Sequence, residues 1–129
     1  MNLNAPVDAS ATIIGNDANG GGNRLFVSTS ADTLFIRDNS TNIESSLVLS
    51  RTADNLFTYQ ASASSFTFVK NGTTDAKSAL SGGQSYRYMG GGSGFNLSAN
   101  MKELIIYSSD KTSDRADIES NINNHYLIF

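Results

Sequence analysis

The segment of residues 95–129 reads FNLSANMKELIIYSSDKTSDRADIESNINNHYLIF and decides the fold. Its apolar run at 101–107, interrupted by only two charged residues, predicts a β-strand buried on both faces or nearly so. Turn residues follow at 108–112, and Thr112 or Ser113 is placed to cap a helix. The segment therefore predicts a buried strand, a polar turn and a short helix that ends close to Phe129.

The predicted helix lies near 113–125 and has one apolar stripe. Ile118, Ile122 and Tyr126 recur at intervals of four residues, which places them on one helical face. Asp114 and Asp117 lie in the first turn, where the helix dipole favours negative charge. Because so short a helix is marginal alone, we expect the stripe to dock on the sheet that contains the preceding strand.

The same region resembles a known family. The residues that carry the resemblance are ELIIYSSD at 103–110, then Arg115, Ile118, Glu119, Asn121, Ile122, Asn123, His125 and Tyr126. They are similar to the C-terminal signature of a branch of the concanavalin A-like (laminin-G-like) jelly-roll superfamily, found in phage virion proteins and bacterial surface proteins. The resemblance implies a lectin-like antiparallel β-sandwich and carries no reaction with it. Composition and spacing alone predict only a mainly β protein with a C-terminal helix.

Composition limits the class of protein. The chain has 129 residues, no cysteine, 16% charged residues and a net charge of −3, which indicates one neutral, turn-rich β domain without disulfides or thiolate metal sites. No basic stripe favours nucleic acid, and no apolar run is long enough to span a membrane. Since the first residues lack the pattern of a signal peptide, we expect synthesis in a host cytoplasm and export within an assembled virion.

Over the whole chain, including the strand at 101–107, the pattern predicts about nine or ten short strands. Residues 1–11 are interpreted as an N-terminal arm or edge strand, and 12–129 as a single sandwich domain. Strands are predicted at 12–14, 24–29, 32–37, 43–50, 56–60, 65–70, 73–77 and 84–89. Asn71-Gly72 is the strongest turn signal, because both residues tolerate the positive φ that a two-residue type I′ hairpin requires.

The chain is shorter than a full lectin-like jelly roll, and the strands that normally begin that fold are missing or contracted. An incomplete sandwich leaves an open edge or an apolar face. We therefore expect residues 1–11 and at least one edge or face to be covered by a copy of the chain or by another virion protein.

Catalytic and metal-binding patterns are incomplete. The carboxylate triplet of related glucanases is absent, and the single histidine, His125, is interpreted as structural. The glycine-rich loop at 15–23 has Gly21 where a phosphate-binding loop needs lysine. Asp17 in that loop is the one candidate calcium ligand, although the rest of a calcium loop is missing. We predict no catalytic residues, no cofactor and no required metal.

Glycan binding needs exposed aromatic rings together with polar side chains that read hydroxyl groups. Candidate residues are Asn23, Arg24, Tyr86, Arg87 and Tyr88. The competing interpretation is that alternating aromatic residues belong to the core of the sandwich, and the chain has no Trp for a sugar platform.

The sequence favours a non-enzymatic structural or adhesion protein with a lectin-like fold. We expect it on the surface of a phage virion, either as a capsid decoration protein or as part of the tail, such as a tail fibre. Its partners would be other virion proteins or copies of itself, with a surface glycan as a possible ligand and with no role for nucleic acid or membrane. The alternative is a carbohydrate-binding module that is secreted or attached to a larger enzyme.

Overall fold

The computed structural model describes residues 1–3, 10–16, 23–28, 31–38, 41–61, 65–78, 86–90 and 97–129. Within them lie one helix, α1 (Arg115–Tyr126), and ten strands. The strands are β1 (Asn2–Leu3), β2 (Ser10–Gly15), β3 (Arg24–Ser28), β4 (Thr33–Asp38), β5 (Thr41–Val48), β6 (Phe57–Ala61), β7 (Ser65–Lys70), β8 (Thr73–Ser78), β9 (Tyr88–Met89) and β10 (Ala99–Asn100). The protein is mainly β with a short C-terminal helix, as the sequence predicted.

The larger sheet is antiparallel and has the strand order β5-β4-β3-β2-β9. Strands β2 to β5 are successive neighbours, and β9 returns to lie beside β2, an arrangement of the Greek-key type. A bulge interrupts the pairing of β2 with β3 between Thr12 and Ile14. The predicted strands over 12–50 are confirmed. Of the strand predicted at 84–89, Tyr88–Met89 is strand, and 84–85 lie outside the described residues.

The second sheet is a meander of β6, β7 and β8. Asn71 (φ 47°) and Gly72 (φ 77°) connect β7 to β8, and Lys70 pairs with Thr73 directly across the turn. Two successive residues with positive φ match the right-handed twist of the strands that they join. The predicted type I′ hairpin is therefore confirmed.

The core lies between the two sheets. From the larger sheet it takes Ile13, Ile14, Leu25, Val27, Leu34 and Ile36, and from the smaller sheet Phe66 and Phe68. The rings of Phe66 and Phe68 meet edge to face, with centroids 5.3 Å apart. Asp75 of β8 joins the sheets at their margin, because its Oδ2 accepts hydrogen bonds from Ser45 Oγ (3.1 Å) and the Ser46 backbone N–H (2.6 Å) of β5. The antiparallel β-sandwich is confirmed.

Helix α1 covers the outer face of the smaller sheet. Thr58 pairs with Val69 on the face opposite to Phe68, so both side chains point away from the core. Thr58 Oγ1 donates a hydrogen bond to Glu119 Oε1 (2.7 Å), and Val69 is buried on this side. The helix is therefore attached to β6 of the smaller sheet through Glu119, and not to a sheet that contains residues 101–107. Docking through its apolar stripe stays a prediction.

The residues of the predicted apolar stripe, Ile118, Ile122 and Tyr126, are half-buried. Ile122 and Tyr126 line a groove beside Glu103 and Ile105. The helix begins at Arg115 with Asp114 at the N-cap, two residues later than the predicted start, and no side chain caps it. At 12 residues it is short, and no helix in the described part of the chain is long and apolar enough to cross a membrane.

The described parts of the N-terminal segment are held by the chain itself. β1 pairs with β10, and the Met1 amino group donates a hydrogen bond to the Asn55 carbonyl oxygen (2.7 Å). The Met1 side chain is part of the core, and Ser10 and Ala11 already belong to β2. These contacts tie residues 1–3 and 10–11 to their own chain, and residues 4–9 lie outside the described ones. Coverage of this segment by another chain stays a prediction.

Candidate functional site: an exposed apolar segment and the groove beside it

Residues 101–107 belong to no helix and pair with no strand in the described part of the chain. Its apolar side chains are exposed, at 39% for Leu104, 44% for Ile105, 69% for Ile106 and 47% for Tyr107. The prediction of a strand buried within this domain is therefore wrong. Apolar and β-branched residues favour a buried strand. A sequence pattern does not show which surface packs against such a strand.

The N-terminal end of this segment is fixed to the domain. Met101 packs against the core, and Lys102 Nζ lies 2.6 Å from Asp54 Oδ2. The same ammonium group lies 5.4 Å from the centre of the Tyr126 ring, within the range of a cation–π interaction. The hydrogen bond from Lys102 lowers the pKa of Asp54, so the ion pair persists at neutral pH.

The C-terminal end is fixed by a turn. Asp110 Oδ1 accepts hydrogen bonds from Thr112 Oγ1 (2.6 Å) and from the Thr112 backbone N–H (2.8 Å), and these bonds lower the pKa of Asp110. Lys111 Nζ lies 5.9 Å from the centre of the Tyr107 ring. The Thr112 hydroxyl is therefore committed to this turn and not to the helix, which corrects its predicted capping role. Anchors at both ends leave 103–107 presented to solvent.

A groove of about 500 Å³ lies between this segment and the last turns of α1. It is lined by Glu103, Ile105, Asn121, Ile122, Asn124, His125 and Tyr126. The side chains of Glu103, Asn121 and Asn124 are exposed and make no hydrogen bond within the described residues. The groove thus combines two aliphatic side chains with amide and carboxylate groups that are available to a ligand or a partner.

The buried carboxylate of Glu119 was not singled out by sequence reasoning. Glu119 is 6% exposed and lies between Thr58 and Arg115, whose Nη1 is 3.3 Å from both carboxylate oxygens. The spacing of Arg115 and Glu119, four residues apart on a helix, was the available signal. Because its oxygens are used in attaching α1 to β6, we interpret Glu119 as structural.

The predicted glycan-binding residues are not presented together on the surface. Arg24 and Tyr88 both pair with Gly15, one on each side of it, so the fold does bring them into one row across the sheet. Asn23 and Arg24 are buried, however, and only Arg87 and Tyr88 are exposed. This row therefore offers one accessible aromatic side chain and one accessible cation.

Two of the predicted residues have roles in packing. The Arg24 guanidinium lies 4.3 Å from the centre of the Phe26 ring, and burial, followed by the nearby charge of Arg37, lowers its pKa. Tyr86 packs against the core beside Tyr59, and burial raises the pKa of its hydroxyl. For Tyr86 this outcome matches the competing interpretation that alternating aromatic residues belong to the core, whereas Tyr88 is exposed.

The candidate calcium ligand Asp17 lies outside the described residues, and no group of three or more potential metal ligands occurs within them. His125 is exposed in the last turn of α1, with its ring centre 4.6 Å from that of Tyr126. It lines the groove and belongs to no group of potential metal ligands among the described residues.

Comparison with known proteins gave no match to any family model, to any curated protein or to any solved structure.

Proposed function

We propose that this protein is a non-enzymatic structural or adhesion component of a phage virion, displayed on the capsid or tail, with a lectin-like sandwich fold. The observation that carries the proposal is the exposed apolar segment at 103–107. Soluble monomers rarely present adjacent exposed aliphatic side chains on an unpaired extended backbone, and such a surface is typical of one that is covered in an assembly.

The two attached ends of this segment support the same proposal. Lys102 donates a hydrogen bond to Asp54 at one end, and Asp110 accepts a hydrogen bond from the Thr112 hydroxyl at the other. A segment that is fixed before association loses little conformational entropy when a partner covers it. The resemblance of 103–126 to the lectin-like branch found in virion proteins supports the proposed location.

Mass spectrometry of density-purified virions tests the proposal. We expect the chain to be a stoichiometric component, and Ile106→Arg to reduce its incorporation. Val48→Arg is the matched control, because Val48 is another exposed apolar residue, on β5, and the substitution is the same. Absence of the chain from washed virions would refute the proposal.

A second candidate function, a secreted or enzyme-attached carbohydrate-binding module, is favoured by the groove. Its amides and carboxylate are the groups that read sugar hydroxyls, and Tyr126 lies at its wall. On a glycan array, the Asn121→Ala and Asn124→Ala variants should then lose binding while Tyr88→Ala retains it. Loss of binding in Tyr88→Ala alone would place the site at the sheet edge that the sequence indicated.

A further inference from the structure

We propose that the side chains of Lys70 and Asp75 keep the free edge of β5 from pairing with a strand of another molecule. Strand β5 lies at one end of the larger sheet, and β4 is its one neighbour in that sheet among the described residues. The edge of a sheet presents N–H and C=O groups that can pair with any extended chain, and such pairing leads to aggregation. At Ser46 and Val48 these groups are already bonded to the two side chains.

The backbone of β5 fixes which groups lie on its free edge. Thr33 of β4 pairs with Val48, and the next residue, Leu49, donates its N–H to the carbonyl oxygen of Asp32 (2.7 Å). Residues in an antiparallel pair alternate between those that hydrogen-bond to the neighbouring strand and those that do not. Because Leu49 bonds toward β4, the carbonyl group of Val48 points away from β4, as does the N–H of Ser46 two residues earlier.

The smaller sheet supplies a partner for each of these groups. Lys70 Nζ of β7 donates a hydrogen bond to the Val48 carbonyl oxygen, and Asp75 Oδ2 of β8 accepts one from the Ser46 N–H (2.6 Å). A strand that paired with β5 here would have to displace both side chains. It would also break hydrogen bonds of a carboxylate and an ammonium group, which costs free energy.

Asp75 is held in its place on the edge by further contacts. Its side chain is 12% exposed, and Lys77 Nζ lies 3.0 Å from its Oδ1. Ser45 Oγ donates a hydrogen bond to its Oδ2 (3.1 Å). Both carboxylate oxygens are therefore fixed, and a charged group points across the edge. Charged side chains at this kind of position are one of the features by which natural sheets prevent pairing at their edges.

A bulge in β5 coincides with the occupied groups. Glu44 pairs with Phe35 and Val48 pairs with Thr33, so three residues of β5 lie opposite one residue of β4. Ser46 is the middle one of these three. A bulge bends its strand and increases the local twist, which disfavours pairing with a further strand. The bulge and the two charged side chains thus act on the same part of the edge.

Removal of both side chains tests the proposal. Compared with wild type at the same concentration, Lys70→Ala/Asp75→Ala should form larger particles in light scattering and bind thioflavin T, a dye that reports stacked β-strands. The matched control is Lys111→Ala/Asp114→Ala, which removes the two charges of another ion pair, at the start of α1, and leaves the same net charge. It should behave as wild type does. No difference between the two double variants would overturn the proposal.

The variant Asp75→Asn separates an open edge from a loss of stability. Asparagine keeps an oxygen that accepts a hydrogen bond from the Ser46 N–H, but it lacks the charge that stabilises the contact between the sheets. This variant should therefore be less stable than wild type and associate no more than wild type does. Association as strong as that of Lys70→Ala/Asp75→Ala would show that lost stability, and not an open edge, is the cause, and would refute the proposal.

A synthetic peptide with the sequence of residues 33–38, the strand that pairs with β5, probes the edge directly. Labelled with a fluorophore, it should bind Lys70→Ala/Asp75→Ala in anisotropy measurements and bind neither wild type nor the control. If circular dichroism shows that this variant does not fold, Lys70→Ala takes its place and should bind the peptide, because it leaves the contact between Asp75 and β5 intact. Equal binding to the edge variant and to wild type, or binding to neither, would contradict the proposal.

Discussion

Asn55 shows how one buried amide can organise a loop and a terminus together. It is almost fully buried; its Nδ2 donates hydrogen bonds to the carbonyl oxygens of Ser50 (2.8 Å) and Met1 (3.1 Å), and its Oδ1 accepts one from the Ser50 N–H (2.7 Å). Its side chain therefore joins Met1 to the loop that contains Ser50 through hydrogen bonds to their backbone groups. The sequence places Asn55 only in the connection between the strands predicted at 43–50 and 56–60, because an asparagine in such a connection gives no sign of its long-range partner.

We expect Asn55→Ala to lower the free energy of unfolding by about 2 kcal/mol, since it leaves buried backbone groups without partners. Asn55→Asp should cost more, about 3–5 kcal/mol, because a carboxylate would face the carbonyl oxygens to which Nδ2 now donates. Urea denaturation of both variants, with Asn100→Asp as an exposed control, measures these differences. Equal stability of Asn55→Asp and wild type would contradict the account.

Asp75 makes the contact between the sheets depend on pH. Burial raises its pKa, but hydrogen bonds from Ser46, Lys77 and Ser45 outweigh burial, and the net pKa is lowered. A carboxylate whose pKa is lower in the folded state stabilises the fold above its unfolded pKa, and this contribution is lost as the pH falls through the folded value.

We therefore expect wild type to lose stability as the pH falls below about 4, and Asp75→Asn to lose less over the same range. Near neutral pH the variant should be less stable by about 1–3 kcal/mol, the usual range for a hydrogen-bonded charged group. Thermal melts between about pH 6 and pH 3 measure both effects. A constant difference between the two proteins across that range would exclude the role of the Asp75 charge.

At the scale of elements, the sequence predicted an element correctly where that element depends mainly on its own residues. The Asn71-Gly72 hairpin and the strands over 12–50 follow from turn residues and alternation, both of which are local. The segment at 101–107 was assigned incorrectly, although its apolar residues favour a strand, because strand pairing depends on residues far away in sequence. The sheet to which α1 is attached through Glu119 could likewise not be predicted from the helix alone.

Gly72 provides a test of the turn. A Cβ at this position would meet nothing within 4 Å, so only the positive φ of 77° opposes a side chain. Gly72→Ala should lower the free energy of unfolding by about 1 kcal/mol, and Gly72→Asn by less, because asparagine tolerates the left-handed region. Chemical denaturation compares the two variants. A larger loss in Gly72→Asn than in Gly72→Ala would mean that space, and not backbone conformation, limits this position.

For the whole molecule, the sandwich and its helix were predictable, whereas the location of its unsatisfied surface was not. Sequence reasoning expected a partner at residues 1–11 and at one or more edges or faces of the sandwich, without saying which. The structure ties Met1 to Asn55 and presents Leu104 to Tyr107 to solvent. The large apolar residues that form a core can be predicted from sequence. Which apolar residues stay exposed depends on how all the strands pair, and that pairing involves residues far apart in the sequence.

Hydrogen–deuterium exchange at residues 103–107, measured in the isolated chain and in purified virions, tests the central claim most directly. The account predicts that these amides exchange at nearly the intrinsic rate in the isolated chain and become protected in the virion, because a partner covers them only there. The amides of β7 serve as the internal reference and should be protected throughout. Strong protection of 103–107 already in the isolated chain would show that the segment pairs within its own domain and would contradict the account.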